Sequence, residues 1–235
     1  PRRKFESEQL TMDAKANRRL ALDEQIRARK EDIIDAAIYE FIENGIDNSK
    51  ISDIAKRAEV GTITVYRYFE TKPRLVIECA TKLWKRELEA LTPQLFPSDF
   101  DRLNGFEQAE HILGVLGSLH EKCPVLLQLL EQFDNYIVKK KKKKEQLHQY
   151  EAGIIDTRET LLSAIHKGKK DGSIRSDIDA IQFYATTTHA VIALSQKLLM
   201  RGDVIESDME TDAKTQIALL IKMELYYIIW TKEVF

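Results

Sequence analysis

Cysteine is nearly absent from this chain of 235 residues: Cys79 and Cys123 stand alone, which excludes a disulfide framework and a paired-thiol metal site. That usage fits a reducing cytoplasm, which is the expected compartment. Nine glycines and five prolines are also few, and most fall where helices would end, which favours an all-α fold. No apolar run approaches the roughly 18 residues that a membrane span needs, and no signal-peptide pattern is present. The net charge is only −2, so any binding to nucleic acid must come from a local patch and not from a generally basic coat. The five histidines, His111, His120, His148, His166 and His189, form no metal pair of the His-Glu-x-x-His kind. His120 and Cys123 are three apart, with nothing to complete a site. A Gly-rich phosphate loop and a nucleophile elbow are missing as well. No metal, cofactor or catalytic residue is expected, and an enzyme is the least favoured class.

What is present is ordinary for a globular protein, 43% hydrophobic and 31% charged, and long enough for a small domain joined to a larger one. The stretch from Ser49 to Lys72 is the most informative. Ile51, Ile54 and Ala55 make the apolar stripe of one short helix, and Val65 with Phe69 that of a second. A tight turn at residues 58–61 joins them, with Val60 placed to plug the angle. The second helix leaves Thr62, Thr64, Tyr66, Arg67 and Tyr68 off the core, the inventory for phosphates and base edges in a major groove. This reads as a helix-turn-helix that binds double-stranded DNA.

The segment from about Arg29 to Trp84 resembles the DNA-binding domain of the tetracycline-repressor (TetR) family of transcriptional regulators. The run Tyr66, Tyr68, Phe69 and Lys72 is its most specific part. Glu59 stands where that family usually has Gly, so a left-handed backbone is expected there at about 1 kcal/mol. Gly61 replaces a usual Ser or Thr, and Ile63 a usually small residue. Lys30, Gly61, Thr62, Thr64, Tyr66, Arg67, Tyr68 and Lys72 are the expected DNA-binding residues, with Lys72 on a phosphate at a helix N-terminus.

Three parts are expected: a basic N-terminal extension over 1–23, a helix-turn-helix domain over 24–72, and a larger helical domain over 73–235. The extension carries Arg2, Arg3, Lys4, Lys15, Arg18 and Arg19, and reads either as a solvated helix or tail, or as a basic arm on phosphates or the minor groove. A helix from about Glu24 ends at Gly45, and another runs from Lys72 to about Leu91, where Pro93 and Pro97 break it. Further helices follow over about 106–122, 124–138 and 147–170, with six lysines, residues 139–144, read as a solvated connection. The last two helices, over about 179–200 and 208–230, are long, and the final one is apolar nearly all round, so part of it needs cover from a second copy. A homodimer is expected through Ala185, His189, Ile192, Leu220, Ile221 and Tyr227.

The family resemblance implies a small organic effector of unknown identity in the larger domain. Candidate pocket residues are Trp84, His111, His120 and Phe133, then Tyr136, Phe183, Tyr184 and His189. The expected function is a repressor released by that ligand from a palindromic operator. The alternative is a helix-turn-helix protein governed by a protein partner and not by a ligand.

Overall fold

A computed structural model describes the backbone of residues 2–140, 147–202 and 204–229, with side chains for all of these except 2–16, 149, 153–157 and 207. Among the described residues the regular structure is helical throughout. In chain order the helices are α1 Arg2–Asn44, α2 Ile51–Arg57, α3 Thr62–Phe69, α4 Lys72–Leu95, α5 Gly105–Gly117, α6 Leu119–Lys122, α7 Pro124–Lys139, α8 His148–Asp171, α9 Ala180–Arg201 and α10 Ala213–Ile229. Two compact units divide the chain, Pro1–Cys79 and Ala80–Phe235.

The first unit is built on one helical stripe. Ile33, Ile34, Ala37, Ile38 and Phe41 of α1 are buried with Ile51, Ile54 and Ala55 of α2 and Val65 and Phe69 of α3. The buried Glu40 carboxylate takes Arg57 Nε at 2.8 Å and Asn44 Nδ2 at 2.9 Å. The Arg57 guanidinium also lies 3.6 Å from the centroid of the Tyr39 ring. Ser49 Oγ sits 2.8 Å from Glu40 O and 2.7 Å from Gly45 O, so its one proton ties the loop after α1 back to that helix. No helix start occurs near Glu24. Helical backbone runs unbroken from Arg2 through the N-terminal extension, because residues 2–23 contain no Gly or Pro to stop it.

The second unit packs α5 tightly on α8. A Cβ on Gly105 would lie 1.9 Å from Gly168 N, so the two backbones touch where neither residue has a side chain. Asn104 and Glu107 close a capping box on α5. The Asp171 carboxylate accepts the N–H of Gly105 and of Ser173, each at 2.9 Å. Val191, Leu198 and Ile217 form a further cluster with Leu116, Leu194, Leu220 and Ile221 around it.

Three boundaries differ from expectation. Helix α4 passes Leu91 and contains Pro93. Pro93 lacks the N–H that would reach back to the preceding turn, and Thr92 Oγ1 and Phe96 N–H hold that turn through Leu88 O at 2.9 Å and Thr92 O at 3.0 Å. Ser118 divides the segment before Cys123 into α5 and α6. Helix α10 begins at Ala213 and not near Asp208, because Arg201 Nε holds Asp208 at 2.6 Å in a separate turn. Asp212 then accepts the Thr215 N–H at 2.9 Å. Lys139 and Lys140 close α7, whereas residues 141–144 of the lysine run, and Trp230, lie outside the described residues.

Candidate nucleic-acid interface

Short-range hydrogen bonds fix the turn between α2 and α3. Ala58 N–H donates to Ile54 O and Val60 N–H to Ala55 O, both at 2.9 Å. Glu59 has φ +54°, the left-handed backbone expected where Gly is usual. Gly61 precedes α3 with an ordinary φ of −76°, and a Cβ there would meet nothing within 4 Å. The backbone therefore does not require glycine at 61. What glycine leaves is open ground in front of the helix.

Helix α3 turns Val65 and Phe69 inward and presents the rest. Thr62 and Arg67 are exposed, Thr64 and Tyr68 half-buried, and Tyr66 is 50% exposed. Ile63 is 82% exposed, an apolar side chain standing among hydroxyls, fit to meet a thymine methyl. The Arg67 guanidinium lies 5.2 Å from the Tyr68 ring centroid. A hollow of about 720 Å³ opens beside this surface, walled by Gly61, Thr64, Arg67 and Tyr68 and, from α1, by Leu22, Ile26, Arg29 and Asp32. Sequence reading missed the α1 wall, and the residues from Leu22 to Asp32, one helical turn apart, were the signal for it. Lys30 is exposed on α1 but does not line the hollow.

Lys72 is placed differently from its assignment. Its ammonium donates to Ser49 O at 2.6 Å and Asp47 O at 3.1 Å, so it fastens the loop before α2. Lys72 is the first residue of α4, and Thr71 caps that helix as its sequence implies, its Oγ1 accepting from Arg74 N–H at 3.4 Å. Glu70 has φ +59° and ψ −46°, and Thr71 N–H reaches Phe69 O at 2.5 Å, a γ-turn between α3 and α4.

The proposed effector residues do not share one site. Trp84 and Tyr184 wall a narrow apolar bore of about 50 Å³ with Leu88, Leu91, Leu113 and Leu161. The same two residues, with Leu116 and Thr188, also wall a wider chamber of about 380 Å³ that holds Asp134, Tyr150, His189 and Gln196. Burial raises the Asp134 carboxyl above its usual range, nearby Glu131 adds to this, and His189 offsets part of it. Burial raises the Tyr150 and Tyr184 phenols too. Among the described residues Arg158 Nε is buried without a hydrogen-bond partner. Phe133 and Tyr136 are core residues, buried at 0% and 4% exposure, because their helix α7 turns its apolar stripe inward. His111 Nε2 rests on Gln94 O at 2.6 Å, and His120 Nδ1 on Ser195 O at 3.2 Å. Phe183 stacks on Tyr227, with centroids 6.4 Å apart, outside the chamber. Cys123 is buried, and that burial, with Glu87 beside it, pushes its thiol up to about 12, which disfavours the thiolate.

Helix α10 carries an exposed apolar face. Leu219, Met223, Tyr226 and Tyr227 are all more than half exposed. His189 is exposed, Ala185 and Ile192 are half-buried, and Leu220 lines a groove with Phe183 and Met223. Ile221 does not belong to this face. It packs within its own chain, where a Cβ on Gly117 would lie 2.6 Å from Ile221 Cδ1.

Residues 33–79 match the model of the bacterial regulatory proteins of the tetR family. The chain is similar to the helix-turn-helix-type transcriptional regulator YvdT of Bacillus subtilis (strain 168), 32% identical over 95 residues, 40% of this chain and 45% of that one. It is also similar to the fatty acid metabolism regulator protein of the same organism, 43% identical over 53 residues, 23% of this chain and 27% of that one. The chain thus spans less than half the length of these relatives. Among solved structures, FadR from Bacillus subtilis in complex with stearoyl-CoA superposes with a TM-score of 0.63 at 19% identity, over 84% of this chain and 98% of that one. The ketosteroid regulator KstR2 of Mycobacterium tuberculosis gives 0.57 at 16% identity, over 87% and 96%. Both likenesses concern the fold, and the match at residues 33–79 falls on the helix-turn-helix described above. Residues 33–79 thus carry the helix-turn-helix of the bacterial regulatory proteins of the tetR family.

Proposed function

We propose that the chain is a cytoplasmic, dimeric repressor that binds a palindromic operator and leaves it when a small organic effector binds. One observation carries the DNA reading: α3 buries Val65 and Phe69 while Thr62, Ile63, Tyr66 and Arg67 stand exposed on the same helix. Hydroxyls, one cation and one apolar side chain on an exposed helix are what a major groove can read. The DNA-binding head is residues 24–72, and the effector and dimerisation part is 73–235. A second copy covering Leu219, Met223 and Tyr226 would supply the second half-site that one small head needs for useful specificity. Selection by the full chain from a pool of random duplexes tests this. The expected result is an inverted repeat with half-sites about one helical turn apart, and no enrichment would overturn it.

For the effector we infer an apolar molecule with a polar end. The leucine-walled bore suits a hydrocarbon, and the chamber with Asp134, Tyr184 and His189 suits a polar group. The regulators solved with stearoyl-CoA and named for ketosteroids make an acyl chain and a steroid ketone the first probes. Helix α4 follows directly on the head, carries buried Leu75 and Val76 in the same compact unit, and then lends Trp84, Leu88 and Leu91 to the bore, so a shift of this one helix can couple the two events. By linkage the effector and the operator must weaken each other by the same factor. Equal affinity of stearoyl-CoA or a ketosteroid for the free and the operator-bound protein, by calorimetry, would overturn release by that ligand.

A further inference from the structure

The first thirty residues hold nine Lys and Arg against five Asp and Glu, in a chain whose net charge is −2. The basic charge is therefore concentrated at one end. Helix α1 continues unbroken through this region, and residues 17–25 are all exposed, so the hydrophobic core does not hold them. This stretch packs on nothing in the core, so its exposed Arg18, Arg19, Leu20 and Leu22 are open to a partner.

Its orientation identifies the partner. Leu22, Ile26 and Arg29 of α1 wall the hollow whose other side is Gly61, Thr64 and Arg67 of the recognition helix. Spacings of three and four place Arg18 on the same stripe, in line with Leu22 and Arg29. At 1.5 Å rise per residue, Arg18 stands roughly 17 Å beyond Arg29 along the axis. A cationic stripe thus leads away from the surface that reads the groove, at a reach on the scale of a half-turn of duplex.

From this geometry we infer that the extended α1, through Arg18 and Arg29 with Arg19 beside them, clamps the phosphate backbone of duplex DNA flanking the half-site read by α3. The inference rests on the DNA-binding reading, and it adds a second contact zone that carries affinity without base specificity. Both arginine side chains at 18 and 19 are exposed, so their loss leaves the core of the head intact.

The test uses the full chain and the inverted repeat recovered by selection from random duplexes. Two probes carry it, one ending at the repeat and one with about ten further base pairs of arbitrary sequence on each side. Wild type should bind the longer duplex more tightly, with a salt slope steeper by about two to four units for one or two added phosphate contacts per protomer. Arg18→Ala/Arg19→Ala should bind both duplexes alike and still prefer the repeat over a scrambled sequence. Lys214→Ala/Lys222→Ala, an equal charge change on α10, should behave as wild type. Equal response to the flanks in wild type and the arginine variant would overturn the clamp while leaving the DNA reading standing. Failure to recover any duplex would remove both.

Discussion

Glu224 offers a sharp test of how α9 and α10 are packed. It lies half-buried in the groove with Phe183, Thr187 and Tyr227, and its Oε2 is enclosed without a hydrogen-bond partner among the described residues. Burial pushes its carboxyl from an ordinary 4.5 to about 7. Below the unfolded value both states hold the proton, and the residue costs nothing. Between the two values the folded chain holds a proton that the unfolded chain has released, so stability falls as pH rises, and above about 7 the penalty is constant. For a fully enclosed carboxyl this displacement would be worth about 3.4 kcal/mol at 1.36 kcal/mol per pH unit. Glu224 is partly open to solvent, and screening reduces that to the order of 1–2 kcal/mol. Glu224→Gln keeps the shape and removes the charge. It should raise Tm at pH 8 by roughly 2–6 °C and change it little at pH 5. Thermal unfolding by circular dichroism at the two pH values measures this, and an equal shift at both would refute the assignment of the cost to the buried charge.

Four further outcomes are expected. Gly105→Ala should destabilise the second unit by about 3 kcal/mol or more, read by urea unfolding, because its methyl would meet the α8 backbone and no flexible side chain can yield. Arg57→Ala should cost about 1–3 kcal/mol by the same assay, since it leaves the buried Glu40 carboxylate without its guanidinium. Lys72→Ala should lower the Tm of the head and weaken DNA binding with the salt slope unchanged, because its ammonium is spent on Asp47 and Ser49 carbonyls; a slope lower by one unit in an anisotropy titration would restore it to the phosphate contacts. Met223→Glu should convert the dimer to monomer by sedimentation, whereas Ile221→Glu, which packs on Gly117 in its own chain, should unfold the second unit.

The head was legible because its pattern obeys one period. Ile34, Ala37, Ile38 and Phe41, then Ile51, Ile54 and Ala55, fall at helical spacing, and all are buried. The left-handed Glu59 was legible from the family resemblance, because it stands where that family usually has Gly. Lys72 was not, because an exposed-looking cation beside a helix start carries no sequence sign of the carbonyls that a distant loop brings to it. Nor was the division of α10 into faces. With Leu220, Ile221, Met223 and Tyr227 all apolar, periodicity gives no phase, and only the packing of Ile221 on Gly117 sets which side is inward. The pocket was half legible: aromatic residues mark cores and cavities alike, so Phe133 and Tyr184 could not be told apart until their helices were placed.

The coupling that the proposed release requires is small enough for a single helix to carry. Release of an operator needs about 1–3 kcal/mol of preference for one arrangement of the protein over another. Removal of a methylene group from water is worth about 0.8 kcal/mol, so two to four methylenes better covered in one arrangement supply the whole effect. The bore presents Leu88 and Leu91 of α4 to whatever fills it, opposite Leu113 and Leu161. A hydrocarbon that fits the bore only when α4 has moved therefore needs no charged contact to act as an effector. Under the proposed release mechanism the chamber's polar groups would choose among ligands without having to drive the switch, so that specificity at Asp134 and His189 would be separate from the force applied through α4.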